Sequence, residues 1–260
     1  MILGAMNNPG KPVAKEISRF GELGFAYVDL TAEAPQATPE LLDKHEKQIR
    51  DALSTSKMKV VGHTPWFFEI AHPYESIRRA VMSEMKASIS ACAKFGAEKV
   101  GIHPDPMSFT HPSRDKFLSV YSESVAELNK HCIDLGVTLL IETYEDRFLR
   151  PDELERVFLR FPDVRFTLDI GHVFLNGGDA AIERMVKRFA DRLLHVHASD
   201  NAGDKDRHLP IGAGKINWEK AVKALKAAGY DGTVTLEVFS QDTEYLPISR
   251  KKFEEIWNKG

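Results

Sequence analysis

Apolar residues along this chain come in short unbroken runs, and between the runs they recur at intervals of three and four. An unbroken run bounded by turn residues reads as a strand buried on both faces, while the three-and-four spacing reads as one face of a helix. Strand runs fall at 2–5, 26–30, 59–63, 99–103, 138–142, 165–169, 193–197 and 233–237. Helices are expected at 13–23 and 39–56. They are also expected where Ile77, Val81, Met85, Ile89 and Cys92, and then Leu118, Tyr121, Val125, Leu128, Cys132 and Leu135, each form a stripe. Four more suit 152–161, 180–189, 218–228 and 249–257. Several stop before a glycine or proline, at Gly24, Gly96, Gly136, Pro162 and Gly229, the expected C-terminal punctuation.

Eight strands, each followed by a helix and with no linker between, predict an α/β fold: a (β/α)8 TIM barrel occupying 1–260 as a single domain. The alternative is an open doubly wound sheet, but no glycine-rich phosphate turn follows the first strand. Gly212-Ala-Gly-Lys215 resembles a phosphate loop only superficially, because Leu209 stands where the first glycine belongs and Ile216 replaces the Ser or Thr.

Composition narrows the class further. With 43% apolar residues the chain can bury a large core, yet no run approaches the roughly 18 apolar residues of a membrane span. The start, Met1-Ile-Leu-Gly-Ala-Met6, lacks the charged and apolar regions of a secretion signal, so a soluble, unprocessed, cytoplasmic protein is expected. Cys92 and Cys132 lie on helical patterns with no C-x-x-C pair, and read as core residues. A formal charge of −3 supplies no global attraction to nucleic acid or anionic membrane.

The chemistry lies where the strands end. Six of the eight runs close on His63, His103, Glu142, Asp169, His197 and Glu237. In a parallel barrel these ends share one face, so the six side chains can converge. Glu142, Asp169, His197 and Glu237 form a hard, mostly oxygen set suited to Mn²⁺, Zn²⁺, Co²⁺ or Fe²⁺, and a divalent ion would relieve the mutual repulsion of three carboxylates. A glutamate closing a wholly apolar strand needs a partner for its charge, which favours function for Glu142 and Glu237. Each histidine alone is as readily structural. Asp169, in Asp169-Ile-Gly-His172, also reads as a helix N-cap. His45, His72, His111 and His131 sit in helical or polar contexts and are expected to be solvated. Trp66, Phe67 and Phe68 either fold onto the barrel top or wall a ligand pocket.

Taken in order, His63-Thr-Pro-Trp66, Gly101-Ile-His103-Pro104, Ile141-Glu142, Leu168-Asp169-Ile-Gly-His172, His195-Val-His197-Ala-Ser-Asp200-Asn201, Asp206-Arg-His208-Leu-Pro-Ile-Gly-Ala-Gly214 and Thr235-Leu-Glu237 resemble the xylose isomerase-like TIM barrel superfamily over nearly the whole chain. In its sugar isomerase and epimerase branch the resemblance implies one divalent ion, Zn or Mn, on Glu142, Asp169, His197 and Glu237. The two glutamates then act as acid and base through an enediolate. His63, His103 and His172 would meet sugar hydroxyls, with His208 and Arg207 meeting a carboxylate or phosphate and Trp66 and Phe67 walling the pocket. The implied substrate is a small sugar or sugar phosphate, and members are often dimers or tetramers. In the endonuclease IV branch the resemblance implies three zinc ions. His63, His103 and Glu142 take one; Glu142, Asp169, His197 and Glu237 a second; His172, Asp206 and His208 the third. Cleavage of DNA at abasic sites would follow.

The sugar branch is the better match. The loops after the first two strands, Met6-Asn-Asn-Pro-Gly-Lys-Pro12 and Thr31-Ala-Glu-Ala-Pro-Gln-Ala37, are short and carry one basic residue between them. Asp105-Pro-Met107 follows His103-Pro104 in place of the nuclease Gly-Ser. The tail of the Asp200 motif and Ala228-Gly-Tyr-Asp-Gly-Thr233 also resemble the sugar isomerases.

Overall fold

Each apolar run pairs in parallel with the next, and the last returns to the first, closing an eight-stranded barrel in the order β1-β2-β3-β4-β5-β6-β7-β8. The computed structural model describes residues 1–105, 111–143 and 149–260; Pro106 and Met107 of the Asp105-Pro-Met107 comparison lie outside them. In chain order the elements are β1 (Ile2–Met6), α1 (Val13–Glu22), β2 (Tyr27–Thr31), α2 (Pro39–Lys44), α3 (Glu46–Ser56), β3 (Lys59–His63), α4 (Glu75–Lys94), β4 (Lys99–Ile102) and α5 (Arg114–Leu135). There follow β5 (Thr138–Glu142), α6 (Pro151–Arg160), β6 (Arg165–Asp169), α7 (Ile170–Leu175), α8 (Gly178–Arg188), β7 (Leu193–Ala198), α9 (Trp218–Ala227), β8 (Thr233–Leu236) and α10 (Tyr245–Lys259). None of the described helices is long and apolar enough to cross a membrane. Closure rules out the open-sheet alternative and brings the C-terminal ends of the strands to one mouth.

The helices pack by the spacing that predicts them. In α1 the buried positions Val13, Glu16, Ile17 and Phe20 are three or four apart, and α5 turns Phe117, Tyr121, Val125, Leu128 and Cys132 inward. Gly136 ends α5 in the left-handed conformation (φ 71°), where a glycine escapes the Cβ clash. Both cysteines are free and buried.

Four details differ from expectation. The helix expected over 39–56 is two, α2 and α3, broken at His45 (φ −105°, ψ 16°) with no glycine or proline to announce it. Helix α10 begins at Tyr245, a turn earlier than 249, because Pro247 sits in its first turn, where a missing N–H costs nothing. The stripe of α4 buries Met82, Met85, Ile89 and Cys92, whereas Ile77 in its first turn is exposed. His111 is buried, with its Nε2 2.7 Å from the Ala71 carbonyl, and is not the solvated residue its polar neighbours suggest.

One strand glycine is there for packing. The Tyr27 ring lies over Gly4, so a Cβ at that position would stand 2.3 Å from ring carbons, and the ring is tethered by its hydroxyl to Thr235 Oγ1 at 2.9 Å. Gly4→Ala is therefore expected to cost about 1–3 kcal/mol as overpacking. A urea midpoint equal to that of the parent would show that the ring can withdraw.

Candidate metal centre and active site

The barrel mouth gathers most of the residues the sequence singles out. His63 ends β3, Glu142 ends β5, Asp169 ends β6 and His197 lies in β7, while His103 and Glu237 stand one residue past β4 and β8. Glu142 is at the centre, with its side chain inaccessible to solvent. Its Oε2 lies 3.1 Å from His63 Nε2, 3.4 Å from His103 Nε2 and 3.2 Å from His197 Nδ1, and its Oε1 lies 3.5 Å from His172 Nδ1. Glu237 approaches His197 Nδ1 from another side at 3.1 Å. Ligand atoms of Asp169, His197 and Glu237, and likewise of Glu142, Asp169 and His172, fall within 4.8 Å of one another.

Asp169 holds both roles the sequence leaves open. It caps α7, with Oδ1 accepting from the His172 amide at 2.6 Å, and its buried Oδ2 has no hydrogen-bond partner. The short helix so anchored carries His172 back to the site.

A second group of ligand types comes from the loop between β7 and α9. Asp206 Oδ2 lies 3.3 Å from His172 Nε2 and 2.8 Å from His208 Nε2. His208 adopts φ 45°, an uncommon conformation for a side-chain-bearing residue, held by the Asp200–Leu209 backbone bridge that follows it and by its own ring packed against Phe239 at 4.8 Å.

These distances fit a cation. His63 and His172 each face a backbone carbonyl through Nδ1, Thr64 at 2.8 Å and Thr143 at 3.0 Å; a carbonyl only accepts, so Nδ1 bears the proton and Nε2 the lone pair. Those lone pairs point at the carboxylates of Glu142 and Asp206, an arrangement that needs either a proton or a metal ion between them. Protons satisfy only part of it: Glu142 Oε1, Asp169 Oδ2, His197 Nδ1, Asp206 Oδ1 and His208 Nδ1 are buried without an aligned hydrogen-bond partner. Of these, Glu142, Asp169 and His197 belong to groups whose ligand atoms lie within 4.8 Å of one another, so the residues present could hold a metal ion.

The electrostatics agree. Burial pushes Asp169 up to about 7, and the charges of Glu237 and Glu142 add to the push. Burial opposes charge on His197, yet Glu142 and Glu237 lift it well above the ordinary imidazole range. His172 is lifted in the same way, against burial, by Asp169 and Asp206. Burial, despite Glu142 nearby, holds His103 down to about 3, so it stays neutral and able to ligate.

A cavity of about 450 Å³ opens over the centre, lined by His63, His103, His172, Asp206, His208 and Glu237. Trp66 and Phe239 form its apolar side, and Glu33 stands on its rim. Phe67 is not in the lining and packs edge-on to Trp66 and Phe68. Arg207 is exposed, pairs with Asp204 and is likewise outside the lining.

Sequence reasoning missed Asp29 and His195, both buried beneath the centre. Asp29 Oδ2 lies 3.0 Å from His195 Nε2 and 3.3 Å from His197 Nε2. The available signal was a single aspartate inside the apolar run Tyr27-Val-Asp-Leu30, a charge that a strand buried on both faces must pair.

A family model described as xylose isomerase-like TIM barrel matches residues 18–256. A fructoselysine 3-epimerase from Shigella flexneri is 22% identical over 240 residues, covering 87% of this chain and 85% of that protein. A probable endonuclease 4 from Aster yellows witches'-broom phytoplasma is 25% identical over 206 residues, covering 72% and 70%. Among solved structures, a D-tagatose 3-epimerase-like protein superposes with a TM-score of 0.86 at 22% identity, over 100% of this chain and 99% of that one.

Proposed function

The chain belongs to the xylose isomerase-like TIM barrel family, and from that premise we propose that it is a divalent-metal-dependent sugar or sugar-phosphate isomerase or epimerase whose acid and base are Glu142 and Glu237. The observation that carries the reading is their placement. They stand on β5 and just past β8, three strands apart around the ring, and bracket the same His197 Nδ1 at 3.2 and 3.1 Å. Two carboxylates reaching one point from different walls can address the two faces of a flat intermediate.

Glu142, Asp169, His197 and Glu237 would hold the ion, which when bound supplies Lewis acidity that polarises a ketose carbonyl and the adjacent hydroxyl. One glutamate then removes the proton from the carbon between those two oxygens, taking it onto its carboxylate. The second glutamate returns a proton to the opposite face of the same carbon, which inverts it. Return of the first proton to the neighbouring carbon isomerises the sugar instead. In this reading His63, His103 and His172 would exchange their present partners for sugar hydroxyls, and Trp66 and Phe239 would cover the apolar face of the sugar.

The second reading is a phosphodiesterase of the endonuclease IV kind. It is favoured by one observation, the convergence of His172 and His208 on Asp206, which matches a third metal position. The two readings separate by experiment. Elemental analysis of protein purified without chelator, followed by deuterium wash-in from D₂O into a panel of ketoses and ketose phosphates, is expected to show one ion per chain and exchange at a single carbon. Two or three zinc ions, no exchange with any sugar and cleavage of an abasic-site oligonucleotide would reverse the ranking.

Chelation gives a further check. An ion present at about 1,000 times its Kd stabilises the folded state by about 4 kcal/mol, which for a chain of this size corresponds to a Tm shift of roughly 10 °C. Dialysis against chelator is expected to lower the Tm by that order, and Zn²⁺ or Mn²⁺ to restore it. Because metal must displace a proton from His197, which Glu142 and Glu237 lift, affinity is expected to weaken as pH falls. A melting curve indifferent to chelator would remove the metal from the reading.

A further inference from the structure

Below the metal centre the barrel interior contains a second polar layer. Asp29 (β2), His195 (β7) and Thr235 (β8) are fully buried in it, Tyr27 (β2) closes it to one side, and the Lys99 ammonium (β4) reaches it from the opposite end of the barrel. Two groups of fixed role order this layer, the Lys99 ammonium that only donates and the Asp29 carboxylate that accepts, and His195 Nε2 also lies 3.1 Å from Thr235 Oγ1. Lys99 Nζ only donates, to Thr233 Oγ1 at 2.5 Å and the Leu194 carbonyl at 3.1 Å. With the His195 ring carrying one proton, Nε2 bears it because it faces a carboxylate oxygen, and Nδ1 accepts the Thr233 hydroxyl at 2.7 Å. His195 Nε2–H then donates to Asp29 Oδ2 at 3.0 Å. On the other side the Tyr27 hydroxyl donates to Thr235 Oγ1 at 2.9 Å, and the Thr235 hydroxyl to the same Asp29 oxygen at 2.7 Å.

One contact to that oxygen remains, His197 Nε2 at 3.3 Å. A carboxylate oxygen accepts, and Asp29 Oδ2 is the single oxygen on which the Thr235 hydroxyl, His195 Nε2 and His197 Nε2 converge. The proton of this contact is on His197 Nε2, and the His197 lone pair is on Nδ1, facing Glu142 and Glu237. We propose that Asp29 is the positioning residue of the metal centre, fixing the tautomer and ring orientation of His197 so that Nδ1 is presented to the ion. The inference rests on the reading above that His197 is a metal ligand. Asp29, His195 and His197 also lie within 4.8 Å of one another, but both imidazoles already spend Nε2 on Asp29 and His195 spends Nδ1 on Thr233, so the trio serves as a support layer and not as a second ion site.

The test uses the full chain labelled with ¹⁵N-histidine and loaded with Zn²⁺, whose affinity is measured by competition with a chromophoric chelator. Long-range ¹H–¹⁵N spectra are expected to show His197 protonated at Nε2 and metal-bound at Nδ1. Asp29→Asn, which keeps the shape but removes the negative charge and puts an NH₂ donor in place of one oxygen, is expected to weaken zinc binding about 10- to 100-fold, the usual effect of losing such a partner, and to disturb the His197 signals. A merely structural role would lower the Tm of the metal-free protein and leave the zinc Kd of the folded fraction unchanged. Unchanged affinity in Asp29→Asn, or zinc on His197 Nε2 in the parent protein, overturns the inference while leaving the metal centre standing. Should Asp29→Asn not fold, the parent spectrum alone decides. Failure of the parent chain to bind zinc at all would overturn the functional reading together with the inference.

Discussion

Glu142→Gln is expected to lower turnover by roughly four orders of magnitude, the upper range for removal of a positioned acid or base. The amide has nearly the shape of the carboxylate, so the barrel around it should persist. It cannot accept a proton at neutral pH, and it presents an NH₂ where the carboxylate presents lone pairs. Glu142 meets four histidines, His63, His103, His172 and His197, within 3.5 Å, so the change removes the anion on which the whole cluster converges as well as the base. The measurement is deuterium exchange at substrate carbon together with metal content. Loss of exchange with the ion retained would assign Glu142 to proton transfer, and loss of both would make its ligand role dominant. Exchange within tenfold of the parent would sink the assignment.

Asp200→Ala is expected to be the most destabilising single change, at about 3–5 kcal/mol, the range for breaking a buried charged network by removing one partner. The Asp200 carboxylate is inaccessible and accepts four bonds. Oδ1 takes the amides of Asn201 at 2.9 Å and Ile216 at 3.2 Å; Oδ2 takes the Gly212 amide at 2.7 Å and Trp218 Nε1 at 2.9 Å. Alanine would orphan the buried donors of Asn201, Ile216 and Trp218 and leave the part-buried Gly212 amide without its partner, each losing a charge-assisted bond. Gly214 shows how tightly this loop is wrapped, since a Cβ there would stand 2.2 Å from the Asn201 carbonyl oxygen and 2.3 Å from Asp200 Oδ1. The glycines of Gly212-Ala-Gly-Lys215 thus enclose a protein carboxylate, which is the structural content behind the superficial likeness to a phosphate loop. Because the same loop carries Asp206 and His208, the variant should also lose whatever those two bind. Chemical denaturation followed through Trp218 fluorescence would check the figure, and a loss under 1 kcal/mol would mean that water replaces the carboxylate.

What the sequence disclosed follows from which physical signals are local. Strands buried on both faces announce themselves as apolar runs, so all eight were legible, and a charged or imidazole side chain closing such a run had to be at the mouth. Thus Glu142, Asp169, His197 and Glu237 could be named from their positions alone. Helix α7 was legible only through the N-cap reading of Asp169, because six residues containing Gly171 are too short to display a period. The break at His45 was hidden for a different reason: the apolar stripe continues across it through Leu42 and Ile49. Asp29 and His195 escaped because their meaning is non-local. They are far apart in sequence and meet only across the closed barrel, and nothing near either one in the chain mentions the other. Arg207 was the opposite error, a charge beside a ligand-type histidine that the fold turns outward to Asp204.

The closed ring bears on the order of events in folding. The clustered ligand types are drawn from separate strands, beginning at His63 and ending at Glu237, and β8 must return to β1 before the ring is shut. Glu142 and Glu237 come from β5 and the end of β8, so the full set meets only when the barrel closes. On the proposed reading, metal capture would follow that closure. An ion held by Glu142, Asp169, His197 and Glu237 would tie β5, β6, β7 and the end of β8 together across a long loop of chain, and its escape should be gated by opening of that half of the barrel.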